Sequence, residues 1–210
     1  MQTRHSSMKL FAAIGFAATW FAVIFQYYLL VNNNDGSLLT KTVQFISYFT
    51  ILTNTIAAIY YTAVLFGNGE KKHWLTSSTT ATAIAVYITI VGLVYNTILR
   101  FTWNPQGWQK LVDELLHTFN PLFFLLFWWL FVPKQNLPWK NAFPWLLYPL
   151  IYFIYIILRG AIVDTYPYPF VDVAVHGYIK VFLNSVTILL VFVLFSFLFI
   201  WLSRLKKPEL

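Results

Sequence analysis

The sequence predicts an all-α integral membrane bundle of six transmembrane helices that form a single domain over residues 1–210. Its composition is the first observation behind this: 59% of the 210 residues are apolar and 10% are charged, whereas soluble domains carry about 25% charged residues. The second is a set of six apolar runs, each near the roughly 20 residues that a helix needs to cross about 30 Å of hydrocarbon. Lipid offers no partners to free backbone groups and the runs are too long for barrel strands, so helices are expected.

The predicted spans lie at about 10–31, 43–66, 79–101, 112–132, 142–162 and 179–202. The first run has about 22 apolar residues, more than the 7 to 15 of a signal peptide, so it is expected to remain as a span. Short connections rich in turn residues, such as Gly67-Asn68-Gly69, join the spans. Neighbouring spans are therefore antiparallel.

Prolines mark the fifth span and the connection that follows it. Pro144 and Pro149 lie in the first half of the span, so it is expected to begin near Pro144 and to kink at Pro149. The connection at 163–178 holds Pro167 and Pro169, which forbid a regular helix there.

The lysines and arginines predict the orientation of the spans. Nine lie on one side of the predicted membrane: Arg4, Lys9, Lys71, Lys72, Lys134, Lys140, Arg204, Lys206 and Lys207. Five lie on the other: Lys41, Arg100, Lys110, Arg159 and Lys180. Because cytoplasmic loops carry the excess of positive charge, both termini are expected in the cytoplasm. These residues flank the spans and form no single basic patch, so membrane lipids are the expected partners and nucleic acid is not.

Polar groups concentrate near the outer ends of the predicted spans. The acidic residues and histidines on that side are Asp35, Asp113, Glu114, Asp164, Asp172, His117 and His176. Ionisable groups within spans are costly and face the bundle interior or a cavity, so they are candidates for function. The polar layer lies toward one face of the membrane, and the sequence predicts a site with a cavity there.

Thr50 and His117 are the candidates for chemistry in this layer. At 1.5 Å per residue, Thr50 lies roughly 10 Å and His117 roughly 8 Å below the outer ends of spans two and four. A hydroxyl and an imidazole at matching depth can form a nucleophile and its general base. The alternative is structural, because threonines in membrane helices often bond the carbonyl one turn back.

Neighbours one turn away supply the supporting candidates. A carboxylate of Asp113, Glu114 or Asp172 is expected to orient His117, and the sequence leaves the choice open. Asn54 can donate a hydrogen bond to a developing oxyanion. The remaining supporting candidates are Thr53, Asn96, Asn120 and His176.

Two arginines end spans three and five, each after an Ile-Leu pair. Arg100 and Arg159 can extend to the interface and offset the helix dipole, or they can grip a carboxylate or phosphate head group. The chain has no cysteine and no HExxH or comparable close spacing, so no metal and no cofactor are expected.

Three segments resemble the androgen-induced family of multi-pass membrane proteins, and in particular its bacterial six-span branch. They are Tyr48–Asn54, Asn104–Pro121 and Tyr166–Phe170. The resemblance implies a threonine hydrolase that cleaves fatty acid esters of hydroxy fatty acids in a bacterial cytoplasmic membrane. It carries the family's threonine and histidine to Thr50 and His117, with Thr53 as a rival nucleophile because the surrounding residues depart from the eukaryotic pattern.

Two functions from different classes therefore stand. One is a lipid-ester hydrolase in which Thr50 attacks the ester and His117 takes its proton. The other is a carrier or lipid-binding protein whose polar residues line a pocket without covalent chemistry. A polar layer toward one face favours the hydrolase, since transporters often show repeats and broken helices at the midplane.

Overall fold

The computed structural model describes residues 2–67, 74–133 and 137–205, with side chains from residue 4 onward. These residues form helices and turns, and no strand occurs in them. The α-helices are α1 (Gln2–Asn33), α2 (Leu38–Ile46), α3 (Phe49–Phe66), α4 (Ser78–Thr97), α5 (Gly107–Glu114), α6 (Asn120–Phe131), α7 (Ala142–Trp145), α8 (Leu147–Val163) and α9 (Val173–Leu205). A π-helical turn, Leu115–Phe119, joins α5 to α6. Short 3₁₀ turns are Trp74–Thr76, Leu99–Phe101, Trp139–Asn141 and Pro169–Val171.

Within the described residues, six helical segments are long and apolar enough to cross a membrane, which confirms the six predicted spans. They are Arg4–Asn33, Phe49–Phe66, Ser78–Phe101, Gly107–Phe131, Trp139–Val163 and Val173–Leu205. This is compatible with an integral membrane protein. Five of the basic residues behind the predicted orientation, Lys71, Lys72, Lys134, Lys206 and Lys207, lie outside the described residues. The orientation stays a prediction.

The chain divides into two compact units. One comprises Met1–Gln135 with Lys207–Leu210, and the other comprises Asn136–Lys206. The first unit holds four of the spans and the second holds two. That the whole chain acts as one membrane domain stays a prediction.

The second span begins later than the sequence suggested, so the prediction of one continuous helix from residue 43 is wrong. Helix α2 ends at Ile46 and is capped by Ser47, whose hydroxyl donates to the Val43 carbonyl at 2.6 Å. Such a bond competes with the helical ladder. Tyr48 is extended (φ −90, ψ 122), and α3 starts at the next residue. Thr50 therefore lies in the first turn of α3, and its depth cannot be counted from residue 43.

The fifth span is interrupted at Leu146 and not at Pro149, as the sequence had suggested. It also starts earlier, with the 3₁₀ turn at Trp139–Asn141. Helix α7 ends at Trp145 and α8 begins at Leu147. Proline lacks an N–H and its ring crowds the carbonyl four residues earlier, which here belongs to Trp145. The break consequently falls one turn before Pro149.

The sixth span contains a kink close to its predicted start. Helix α9 begins at Val173, but it is interrupted at Gly177, which has φ +71 and ψ 161. Only glycine adopts such a conformation without strain. The uninterrupted part starts after Gly177, near the predicted residue 179.

In the first unit, α1 packs closely on α3. A Cβ atom at Gly15 would overlap the ring of Tyr61, which is 1% exposed. Trp20 Nε1 donates to Thr62 Oγ1 at 3.0 Å in the same interface. Tyr61 also packs edge-on against the rings of Tyr60, Phe124 and Phe127. A residue without a side chain at position 15 thus lets α1 approach the aromatic core.

We expect Gly15→Ala to lower the free energy of unfolding by about 1–3 kcal/mol, because the added methyl must displace the Tyr61 ring in a filled core. Ala17→Val on the exposed face of α1 is the matched control and should change it little. Unfolding followed by tryptophan fluorescence in mixed micelles measures both. Equal stability of Gly15→Ala and wild type would contradict this packing.

Candidate functional site

His117 lies in the π-helical turn Leu115–Phe119, in the middle of the fourth span. The Asn120 N–H bonds to the Leu115 carbonyl, five residues back, so the Leu116 carbonyl loses its usual donor. Pro121 has no N–H, so the His117 carbonyl loses its donor as well. Two consecutive carbonyls are thus left without a partner from their own helix. Isolated π turns occur often at functional sites.

Two asparagines on other helices satisfy these carbonyls. Asn54 of α3 donates from Nδ2 to the Leu116 carbonyl at 3.1 Å, and Asn96 of α4 donates to the His117 carbonyl at 3.2 Å. Each Nδ2 also donates to the carbonyl four residues back in its own helix, at 2.9 Å and 2.8 Å. We call Asn54 and Asn96 the asparagine pair. Both hydrogens of each amide are used, so Asn54 has none left for the oxyanion that the sequence assigned to it.

Helix α4 approaches the π turn closely at Gly92. A Cβ atom there would lie 3.2 Å from the His117 carbonyl oxygen and 3.2 Å from Pro121 Cβ. Even alanine would therefore press on the turn. The small residue brings Asn96, one helical turn along α4, within reach of the His117 carbonyl.

The ring of His117 is held on two sides. Its Nδ1 lies 2.9 Å from the Asp113 carbonyl oxygen and 3.2 Å from Asp113 Oδ1. A carbonyl only accepts, so Nδ1 carries the proton and Nε2 is left as the basic nitrogen. The ring also stacks on Tyr95, with centroids 3.9 Å apart and planes inclined by 15°. The Tyr95 hydroxyl donates to Asp113 Oδ2.

Asp113 is thus the carboxylate that contacts His117, which the sequence had left open among three residues. It is 5% exposed, and its two carboxylate oxygens face Tyr95 and His117. A buried carboxylate needs such partners, since desolvation of an isolated charge is costly. The group can orient the imidazole and stabilise it when it is protonated.

Arg100 is paired with a carboxylate and does not present a free positive charge. Its Nη2 donates to Glu114 Oε2 at 2.6 Å and to Thr118 Oγ1 at 3.1 Å, and Nε donates to Asn96 Oδ1 at 3.0 Å. The guanidinium also lies 5.2 Å from the centroid of the Tyr95 ring. Glu114 therefore serves Arg100 and not His117. Because Arg100 is already paired with Glu114, it is not well placed to bind an anionic head group.

Buried polar side chains surround the first turn of α3. Thr50, Thr53, Asn54 and Asn120 are each less than 10% exposed. Asn120 Nδ2 donates to Asn54 Oδ1 at 2.9 Å, which links α6 to α3. In the described part of the chain, the hydrogen bonds of the His117 ring run to Asp113. The pairing of Thr50 with His117 and the predicted cavity stay predictions.

The other three candidates belong to the second compact unit. Arg159 donates from Nη1 to the Thr165 carbonyl at 2.9 Å, beyond the end of α8. Asp172 accepts from the Val175 N–H at 3.1 Å and so caps α9. His176 is exposed. Asp172 thus has a structural role in that unit.

The loop before α9 packs onto α8 at Gly160, where a Cβ atom would overlap the ring of Tyr166. Partial burial, followed by the charges of Tyr178, Asp172 and Asp164, raises the pKa of Tyr166.

Within the described ranges no three His, Asp or Glu side chains come together in a way that could hold a metal ion.

The sequence did not single out two residues of this site, Tyr95 and Thr118. Tyr95 precedes Asn96 in α4 and follows Gly92 by three residues, so the close approach at Gly92 puts its ring next to the π turn. A buried carboxylate at Asp113 requires a donor, but the sequence gives no signal that selects Tyr95 among the tyrosines of the spans.

Asn54→Leu and Asn96→Leu are each expected to lower the free energy of unfolding by about 1–3 kcal/mol, because each leaves a buried carbonyl without a donor. Asn32→Leu is the matched control, since Asn32 donates to the Tyr28 carbonyl in an exposed position where water can replace it. Unfolding in mixed micelles compares the three. If all three variants unfold alike, the asparagine pair does not support the π turn.

A scan against protein-family models, a search of curated proteins and a search of solved structures each found no match. The candidate site therefore rests on its own geometry and on the residues that compose it.

Proposed function

We propose that this chain is an intramembrane lipid-ester hydrolase of the androgen-induced family, with Thr50 as nucleophile and His117 as general base. The fixed ring of His117 is the observation that carries the proposal. Nδ1 is held by Asp113 and the ring face lies on Tyr95. Nε2 is thereby the nitrogen that takes a proton, which is what a histidine base requires.

The position of Thr50 supports its assignment as nucleophile. Asn54 donates both to the Thr50 carbonyl and to the Leu116 carbonyl, so it joins the first turn of α3 to the turn that carries His117. At this end of a helix the dipole favours the negative charge that develops on an attacked ester. The reaction requires Thr50 Oγ1 to reach Nε2 directly or through one water. Thr53, one turn along, remains the rival nucleophile.

The reaction then has two halves. Thr50 Oγ1 attacks the ester carbonyl carbon while its proton moves to His117 Nε2, and the same proton leaves with the departing alcohol. Water next attacks the acyl-threonine, gives a proton to Nε2 and releases the fatty acid, and Thr50 recovers its proton. Asp113 stabilises the imidazolium in both halves.

The apolar spans suggest a substrate that is itself a membrane lipid. A fatty acid ester of a hydroxy fatty acid fits the family resemblance and places the ester within the hydrocarbon. The nine-to-five distribution of basic residues supports cytoplasmic termini. The bacterial branch of the family supports a location in the cytoplasmic membrane of a bacterium.

Thr50→Ala and His117→Ala are each expected to abolish ester hydrolysis and labelling by a fluorophosphonate, because loss of either residue removes the whole mechanism. The double variant should be no worse than either single one. Mass spectrometry of the labelled wild type should place the modification on Thr50. Thr50→Ser should keep part of the activity, since it retains the hydroxyl.

Thr53→Ala is the matched control, a threonine one turn along the same helix. If it is the inactive variant, the nucleophile is Thr53. If the wild type hydrolyses no ester in a lipid panel, or if every single variant matches it, the hydrolase proposal fails and the carrier or lipid-binding function replaces it.

Reporter fusions test the orientation. Fusions at both termini and within the connections around Lys71 and Lys134 should report cytoplasm, and fusions within 32–42 and 163–178 should report the opposite side, because positive charge is retained inside. A C-terminal fusion that reports the outer side would refute the orientation.

A further inference from the structure

The orientation of the Asn120 side chain is fixed by its neighbours. Asn54 presents Nδ2 to two carbonyl oxygens, which only accept, so its amide cannot be turned round. Asn54 Oδ1 therefore faces Asn120, and Asn120 must present its own Nδ2 to it, at 2.9 Å. The oxygen of Asn120 consequently points away from Asn54.

That oxygen is a buried acceptor that receives no hydrogen bond. Asn120 is 3% exposed, and no donor among the described residues reaches Oδ1. Buried polar atoms almost always have a partner, and an exception calls for an explanation such as an ordered water or a ligand. Because Oδ1 only accepts, the missing partner must bring an O–H or N–H group.

Asn120 is linked to the helix of the proposed nucleophile and follows His117 by three residues in the chain. Asn120 bonds to Asn54, and Asn54 bonds to the carbonyl of Thr50 one turn earlier on α3. Thr50, Thr53 and Asn54 are buried there as well. A water molecule is the smallest group that brings the required donor, and ordered water commonly serves buried polar atoms that lack a protein partner.

We propose that Asn120 Oδ1 binds the water that hydrolyses the acyl-threonine. This rests on the proposed function and assigns the second half of the reaction. The water donates a hydrogen bond to Asn120 Oδ1. Its other hydrogen is transferred as a proton to Nε2 of His117 while its oxygen attacks the acyl carbon. The bond from that carbon to Thr50 Oγ1 breaks, the fatty acid leaves, and the proton on Nε2 returns to Oγ1.

The test separates the two halves of the reaction with a p-nitrophenyl ester of a fatty acid. Asn120→Ser keeps a hydroxyl that can donate to Asn54 and removes the free carbonyl oxygen. We expect a normal burst of p-nitrophenolate and then a steady-state rate about tenfold below wild type, the effect of one lost hydrogen bond to a reacting group. Intact-protein mass spectrometry should show acyl-enzyme accumulating in the variant.

Asn96→Ser is the matched control, because it removes an amide from the other side of the π turn. It should slow burst and steady state together. If Asn120→Ser does the same, its role is only structural and the proposal is overturned. If Asn120→Ser instead raises KM only for esters that carry a free hydroxyl, the oxygen binds that hydroxyl and the water assignment is wrong. A wild type without a burst or hydrolysis would fail the hydrolase proposal itself.

A measurement on the unaltered protein covers the case in which Asn120→Ser does not fold. An experimental structure that resolves ordered water should show density within hydrogen-bonding distance of Asn120 Oδ1. A protein donor in that place, or a closed apolar contact, would overturn the proposal.

Discussion

The site depends on two carbonyl oxygens, those of Leu116 and His117, which their own helix cannot satisfy. Within a membrane, no water is available to donate hydrogen bonds to these two carbonyls. Irregular backbone persists there only where protein or a polar cavity surrounds it. The asparagine pair meets this requirement from two helices at once. As a result, the three spans that carry Asn54, Asn96 and His117 are hydrogen-bonded to one another at the π turn. The π turn is therefore a point of local cost at which three spans of the first unit are hydrogen-bonded to one another.

The charged side chains of the site are paired, and the buried one among them is Asp113. Arg100 is matched with Glu114, and Asp113 is matched with Tyr95 and the His117 ring. Desolvated charges are tolerated when they are paired and hydrogen-bonded. This pairing divides the adjacent carboxylates into two roles, since Glu114 fixes the arginine and Asp113 fixes the imidazole. A segment of nine residues, from Asp113 to Pro121, thus supplies the histidine, its carboxylate partner and the irregular backbone.

The sequence predicted the spans well and the site in part, for physical reasons that differ. Length and apolarity suffice to find a membrane helix, so all six spans were found. Interruptions depend on single local contacts, to which hydropathy gives no signal. The Ser47 hydroxyl donates to the Val43 carbonyl where α2 ends, and the clash with the ring of Pro149 falls at Trp145, where α7 ends. Helical spacing placed Asp113 beside His117. Tyr95 required contact between α4 and the π turn, which only tertiary packing determines.

Thr50 and His117 share a feature that neither hydropathy nor resemblance supplied. Both lie beside irregular backbone: Thr50 follows the break between α2 and α3 at Ser47 and Tyr48, and His117 lies within the π turn. Asn54 connects the two places, since it donates to the Thr50 carbonyl and to the Leu116 carbonyl. Since irregular backbone costs free energy in a membrane, a π turn beside a cluster of buried polar side chains supports the proposed site. This support for the proposed pair does not depend on the family resemblance.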